Sequence, residues 1–218
     1  MATVTEPSPA TETARKRYNR AARFYDLHQA VAEQLIFRRL RSQLWTKAPA
    51  AGRILEVGVG TGVNISCYPD GARVTAIDIS DQMLARAKHR AERLNAAVDL
   101  ALMDAQHLDF PDATFDAAVA TCVFCSVPDP VAGLREAWRV LKPGGKLLLL
   151  DHVRSGNPVL GKLMDVVNPL MVRMSGANIN RRTLENLRRA GVQDFDASSH
   201  AFGIVKLTEA RKPTTEAR

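Results

Sequence analysis

From residue 53 onward, short apolar runs alternate with helix-like stretches, the signature of a parallel sheet joined by crossover helices. Strands are expected near 53–58 (RILEVG), 72–78 (ARVTAID), 97–102 (AVDLAL), 115–121 (FDAAVAT) and 145–151 (GKLLLLD), with helices near 80–95 and 129–141. Ser80 suits an N-cap for the first helix. Asp129 followed by Pro130 gives the second a cap and a preorganised first turn. "KPGG" at 142–145 reads as a sharp stop before the next strand. After 191 the pattern is strand-like again, at 192–199 and 202–208, which fits a final hairpin on a parallel sheet. One segment breaks the alternation. Residues 157–180 are apolar, Met-rich and interrupted by Pro158, Gly161, Pro169 and Gly176, so broken helices inserted after the fifth strand are expected, over a pocket.

Composition sharpens this only in places. A chain of 218 residues is one domain with an appendage, and 46% hydrophobic with 24% charged residues is ordinary for a globular protein. No apolar run approaches a membrane span. Residues 1–14 are polar and Pro/Thr-rich, expected as a disordered tail rather than a secretory signal, and 211–218 as a second tail. Three cysteines without paired spacing indicate a reducing cytoplasm.

Charge changes the picture more. Residues 15–47 hold nine Lys/Arg against Asp26 and Glu33, whereas the body at 48–203 is neutral and the tails cancel. The whole excess of +7 therefore sits in one N-terminal segment. Such a segment suits an anionic surface, lipid headgroups or nucleic acid, or else is a solvated arginine-rich face. Ile36, Phe37, Leu40 and Leu44 offer that segment a partial inserting stripe.

Candidate chemistry begins at "LEVGVGTG", residues 55–62, where Gly58, Gly60 and Gly62 fall at a strand-to-helix turn beside the carboxyl end of the sheet. A P-loop would need Gly-Lys-Ser/Thr, which is absent, and the spacing is G-x-G-x-G rather than the dinucleotide G-x-G-x-x-G. Asp78, twenty residues past Gly58, suits a ribose diol, and Asp104 suits an exocyclic adenine amine. A pyrophosphate beside Glu56 would be disfavoured, whereas a cationic nucleoside without phosphate, such as S-adenosylmethionine, fits all three acids.

With these residues in place the chain resembles the class I S-adenosylmethionine-dependent methyltransferases: "LEVGVGTG", "AIDIS", "DAQHLDFPDATFD" and "RVLKPGGKLLLLDHV" match that family in order across 53–153. The resemblance implies an α/β, doubly wound, seven-stranded and mostly parallel sheet with its last strand antiparallel, N-terminal helices, and a domain over 48–210. It places Gly58, Gly60 and Gly62 at the methionine moiety, Asp78 at the ribose, Ile79 and Met83 beside the adenine, and Asp104 and Ala105 at its edge; Glu56 would serve as a counter-charge or water-mediated partner, and Asn64, Thr121 and Cys122 complete the expected cofactor site. S-adenosylhomocysteine would be the product.

"YNRAARFYD" resembles the entry helix of the quinone and phospholipid branches. Tyr18, Ala21, Ala22 and Tyr25 share one helical face, which would close over the cofactor. "CVFCSVPDP", "DHV" and "NPLMVRMSGANINRRTLENLRRAGV" resemble bacterial phosphatidylethanolamine N-methyltransferases of the PmtA type, and more distantly animal thiol S-methyltransferases. Quinone C-methyltransferases usually carry a Ser-Xaa-Gly-Xaa-His-Arg segment here, where this chain has "MSGANINRR". The Asn-Pro-Pro-Tyr motif of enzymes acting on nucleobase amines is absent, which argues against nucleic acid. The expected acceptor is thus phosphatidylethanolamine at the inner face of the cell membrane, met by a peripheral monomer without a metal; a quinone carbon or a thiol is the alternative. An ethanolamine amine must shed a proton before it attacks, and His152, then Tyr25, are the candidate bases. Tyr18, Tyr25 and Phe124 offer aromatic faces to the methylated ammonium, with Cys125 beside them as pocket lining or core. Asn178, Asn180, Arg181 and Arg182 either hold the phosphodiester or open a helix with solvated arginines.

Overall fold

The computed structural model describes residues 8–27 and 33–214. Its elements run α1 (Pro9–Ala21), a 3₁₀ turn (Ala22–Phe24), a π-helical turn (Glu33–Phe37), α2 (Arg38–Trp45), β1 (Ala51–Val57) and β2 (Gly71–Asp78). Next come α3 (Asp81–Leu94), β3 (Asp99–Leu102), β4 (Phe115–Thr121), α4 (Pro130–Arg139), β5 (Leu141–His152), α5 (Pro158–Ser175), α6 (Thr183–Arg189), β6 (Phe195–His200) and β7 (Val205–Arg211). The strands form one sheet in the order β3-β2-β1-β4-β5-β7-β6. Only β7 runs antiparallel to its neighbours.

The four leucines at 147–150 show why the strand pattern is continuous rather than alternating. Leu147 and Leu149 pack with Phe115, Leu134 and Leu187 on one face, while Leu148 and Leu150 pack with Leu44, Trp45 and Ile54 on the other. The sheet is therefore covered by α4 and α6 below and by α2 and α3 above. Ser80 Oγ accepts from Met83 N, and Asp129 Oδ1 accepts from Val131 N and Ala132 N, so both expected caps are in place.

Several expectations need correction. The N-terminal helix begins at Pro9, not residue 15: Ser8 Oγ accepts from Thr11 N, and Thr11 Oγ1 reaches Asp104 at 3.2 Å, tying the segment to the body. The rest of the expected tail, 1–7, lies outside the described residues. At the other end Arg211 closes β7, and Lys212 Nζ donates to three carbonyls, those of Trp138, Arg139 and Leu141. "KPGG" is a bulge inside β5: Leu141 faces Phe115, and the ladder resumes with Lys146 opposite Ala117. The insert is one helix with Pro169 inside it, not several pieces. Asn157 caps it, Pro158 opens its first turn, Gly176 ends it at φ 82, and Pro169 withholds only its own N–H from the ladder. Finally, Leu40 and Leu44 are buried and Ile36 and Phe37 pack against the core, so that stripe faces the sheet and is not available for insertion.

Candidate active site

The three glycines after β1 are held at φ 70, 56 and 82, a left-handed region where a side chain is strained. The reason for each differs. A Cβ on Gly58 would lie 2.5 Å from Val123 Cγ2, and one on Gly62 would lie 2.6 Å from Ile65 Cδ1 and 3.1 Å from the Ala87 backbone. A Cβ on Gly60 would meet nothing within 4 Å. Protein therefore occupies the space at the outer two positions, and only the middle one opens freely on a cavity.

That cavity lies at the carboxyl ends of β1, β2 and β4. Tyr18, Tyr25, Gly58, Gly60, Asp78, Ile79, Met83, Asp104, Ala105, Thr121 and Cys122 all line it. Asp78 Oδ2 accepts from Gly60 N at 2.8 Å and Oδ1 from Ser80 N at 2.9 Å, while burial pushes its carboxyl pKa up. Asp104 accepts from Thr11 Oγ1 and from Gln106, both missed by the sequence reading because a lone Thr or Gln carries no motif. Among the described residues no Lys, Arg or His lines the cavity. A cationic ligand with a ribose to bind and no phosphate fits this donor set, and a phosphate does not.

Gly62, Glu56 and Asn64 do not line the cavity. Glu56 is fully buried under the turn, where its carboxylate accepts from Asn64 Nδ2 and Tyr68 OH, and burial pushes its pKa up. Asn64 also donates to Thr121 Oγ1 at 3.1 Å and accepts from Arg41 at 3.0 Å; Arg41 in turn pairs with Glu33 at 2.8 Å. These residues brace the glycine turn from beneath rather than meeting the ligand.

A second cavity, of about 1240 Å³, adjoins the first and shares Tyr18, Tyr25, Thr121, Cys122 and Ser126 with it. The two tyrosine rings meet edge to face, with centroids 6.3 Å apart. Tyr18 OH and Ser126 Oγ are hydrogen-bonded, a contact with no sequence signal. Cys122 sits at φ 56 with its N–H on Leu150 O at 2.7 Å, a strained residue at the junction itself. Burial raises the Tyr25 phenol pKa well above the usual range, which argues against Tyr25 as the base. His152 lines the second cavity, its Nδ1 is buried without a partner among the described residues, and burial lowers its pKa, so the imidazole is neutral. Its neighbour Asp151 was not singled out by sequence. Neither of its carboxylate oxygens has a well-formed hydrogen bond, and burial, only partly offset by the Val123 N–H, pushes its pKa up to about 7.

The expected acceptor residues fare less well. Cys125 lines the second cavity as a thiol whose pKa burial pushes up to about 12. Phe124 is buried in the core, with Gly133 against its ring. Asn178 bonds the Cys125 carbonyl at 3.1 Å and Asn180 bonds Asp165 at 3.0 Å. Arg181 donates to the carbonyls of Cys125 and Val127, and Arg182 is exposed and pairs with Glu185 at 3.3 Å. Asn178, Asn180 and Arg181 are spent on pinning the α5–α6 connection, Arg182 makes a surface pair at the start of α6, and none of the four lines either cavity. The cations that do line the second cavity without an ion-pair partner among the described residues are Arg17, Arg20 and Arg173. Two of them belong to the basic N-terminal segment, the signal that could have found them.

Known proteins place this geometry. The methyltransferase-domain family matches residues 55–149. The phosphatidylethanolamine N-methyltransferase of Cereibacter sphaeroides is 45% identical over 103 residues, 46% of this chain and 51% of that protein, so the match spans about half the relative's length. The ubiquinone/menaquinone biosynthesis C-methyltransferase of Desulfotalea psychrophila is 30% identical over 217 residues, 88% of this chain and 87% of that one. Among solved structures, a S-adenosylmethionine-dependent methyltransferase of Thermotoga maritima superposes with a TM-score of 0.69 at 21% identity, covering 90% of this chain and 99% of its own, a likeness of fold alone. Sheet order, a phosphate-excluding cavity on the glycine turn and a relative matched over nearly the whole length agree: the chain belongs to the class I methyltransferases that use S-adenosylmethionine.

Proposed function

We propose that this chain methylates the amine of phosphatidylethanolamine, and then its mono- and dimethyl forms, toward phosphatidylcholine, acting as a monomer at the inner face of the cell membrane. The observation that carries the reading is the neutral His152, its Nδ1 without a hydrogen-bond partner among the described residues, on the lining of a large chamber that meets the cofactor cavity at Tyr18, Tyr25, Thr121, Cys122 and Ser126.

Asp78 would hold the ribose and Gly60 would let the cofactor approach the backbone; the cofactor supplies a methyl on a sulfonium. His152 takes the proton that the ethanolammonium must lose, leaving a lone pair on nitrogen for the new N–C bond. Each added methyl makes the headgroup a more persistent cation, which the faces of Tyr18 and Tyr25 favour. Arg17, Arg20 and Arg173 supply the phosphodiester clamp first sought in Arg181 and Arg182.

A second reading, methyl transfer to a quinone carbon, is favoured by the Desulfotalea relative, which aligns over 88% of this chain. The test is transfer of labelled methyl to phosphatidylethanolamine, a demethylated quinone and a simple thiol, by the wild type and by His152→Ala. We expect lipid labelling, lowered about 10²–10⁴-fold in the variant with cofactor binding intact. Label in the quinone or thiol but not in the lipid would overturn the acceptor.

A further inference from the structure

Helix α5 turns Gly161, Met164 and Asn168 inward, where Asn168 bonds Asn178 and the Ile179 N–H. Its opposite side is bare. Val159, Leu163, Val166 and Leu170 recur at i, i+4, i+7 and i+11, one narrow line along the helix, and are 57–78% exposed. Four large apolar side chains in a row are more than scattered surface residues amount to.

The charges beside this line all carry one sign. Lys162 and Arg173 flank it on one side, within a turn of Val159 and Leu170, and neither has an ion-pair partner among the described residues. The helix's one acid among the described side chains, Asp165, is already neutralised by Arg154 at 2.8 Å. The chamber opens beside the end of the same helix, where Met171 and Arg173 join Phe24, Arg17 and Arg20 on its lining.

A second feature sits at the same end of the sheet. His152 at the end of β5 pairs with Val205 at the start of β7, so the β6–β7 turn projects beyond the carboxyl ends of the strands. At its tip Phe202 is 95% exposed and held at φ 58, ψ 28, a conformation that costs a bulky residue.

We propose that the α5 stripe and Phe202 form a membrane-docking surface that seats in the interface of an anionic phospholipid leaflet, with Lys162 and Arg173 reaching the headgroups and the chamber mouth opening toward the lipid. Apolar side chains on one helical line beside unpaired cations are the chemistry of an interfacial helix, and a protein or nucleic-acid partner would not require the aliphatic stripe and the cationic flank together. The inference builds on the lipid-acceptor reading above, but names the surface by which the enzyme reaches its substrate, in place of the N-terminal stripe that the fold buries.

The full-length chain would be floated with vesicles of phosphatidylcholine containing about one-third phosphatidylglycerol, at low and high salt. Wild type should bind, less so in high salt. Leu163→Ser with Val166→Ser should weaken partitioning on the order of tenfold, and Phe202→Gly, which also relieves the strained backbone, should weaken it severalfold with no loss of thermal stability. Cofactor affinity and turnover on a short-chain, water-soluble phosphatidylethanolamine should be unchanged in both. Partitioning equal to wild type in both variants would overturn the surface. So would a wild-type dimer that becomes monomeric in the stripe variant with vesicle binding unchanged, which would put a second copy on the stripe. Vesicle binding that falls as expected, with no turnover on any phosphatidylethanolamine, would support the surface and sink the acceptor reading alone.

Discussion

Asp151 carries a carboxyl group that burial pushes well above its ordinary value, close enough to the Cys125 thiol to raise the thiol's pKa as well. Its folded pKa of about 7 lies above the ordinary carboxylate value, so the fold favours the protonated acid. That contribution is complete below about pH 4 and is lost as pH rises through about 7. Asp151→Asn keeps the shape and removes the titration. Its stability should match the wild type near pH 4 and exceed it by up to roughly 4 kcal/mol by pH 8. Melts at several pH values check this, and a gap independent of pH would contradict it. The sequence could not announce Asp151, because an acid at a strand end is equally at home in water. Asp78 and Gly60 were legible because their roles follow from position in a local turn. Arg181 and Arg182 were misplaced for the converse reason: whether an arginine faces a chamber or two backbone carbonyls is decided by how a distant loop packs, and spacing along the chain does not encode that.

At the scale of elements, α1 is held over the cofactor cavity by a few polar bonds. Asn19 Nδ2 donates to Asp81 Oδ1 at 2.7 Å, Asn19 Oδ1 accepts from Ser80 Oγ, and Thr11 reaches Asp104. Asn19→Ala removes two of these, at about 1 kcal/mol each. The core of the sheet does not depend on them, so the melting temperature should barely move while the cofactor Kd rises several-fold, as calorimetry would show; an unchanged Kd would deny α1 its role as a lid. The strands, both helix caps and the two-tyrosine face of this lid could be read from periodicity and capping chemistry. The single helix through Pro169 could not, since a proline costs one hydrogen bond and the capped ends at Asn157 and Gly176 decide whether the rest survives. Nor could the inward turn of Leu40 and Leu44, because an apolar stripe fits a sheet and a membrane equally well.

For the whole molecule, part of the basic N-terminal segment meets the cavities, with Lys16, Arg17, Arg20 and Arg41 on the lining of the second. The same helix that lines the first cavity through Tyr18 also presents Arg17 and Arg20 to the second. This shared element has a kinetic meaning. If the acceptor is the lipid proposed above and α1 lifts to release the spent cofactor after each round, the arginines withdraw from the headgroup with it. The enzyme should therefore be distributive, releasing its substrate between rounds. Time courses on phosphatidylethanolamine in excess should show monomethyl product first, then dimethyl, each building up before the next is consumed. Fully methylated lipid formed from the first turnovers, without free intermediates, would mean that the acceptor stays gripped while the cofactor is exchanged by another route.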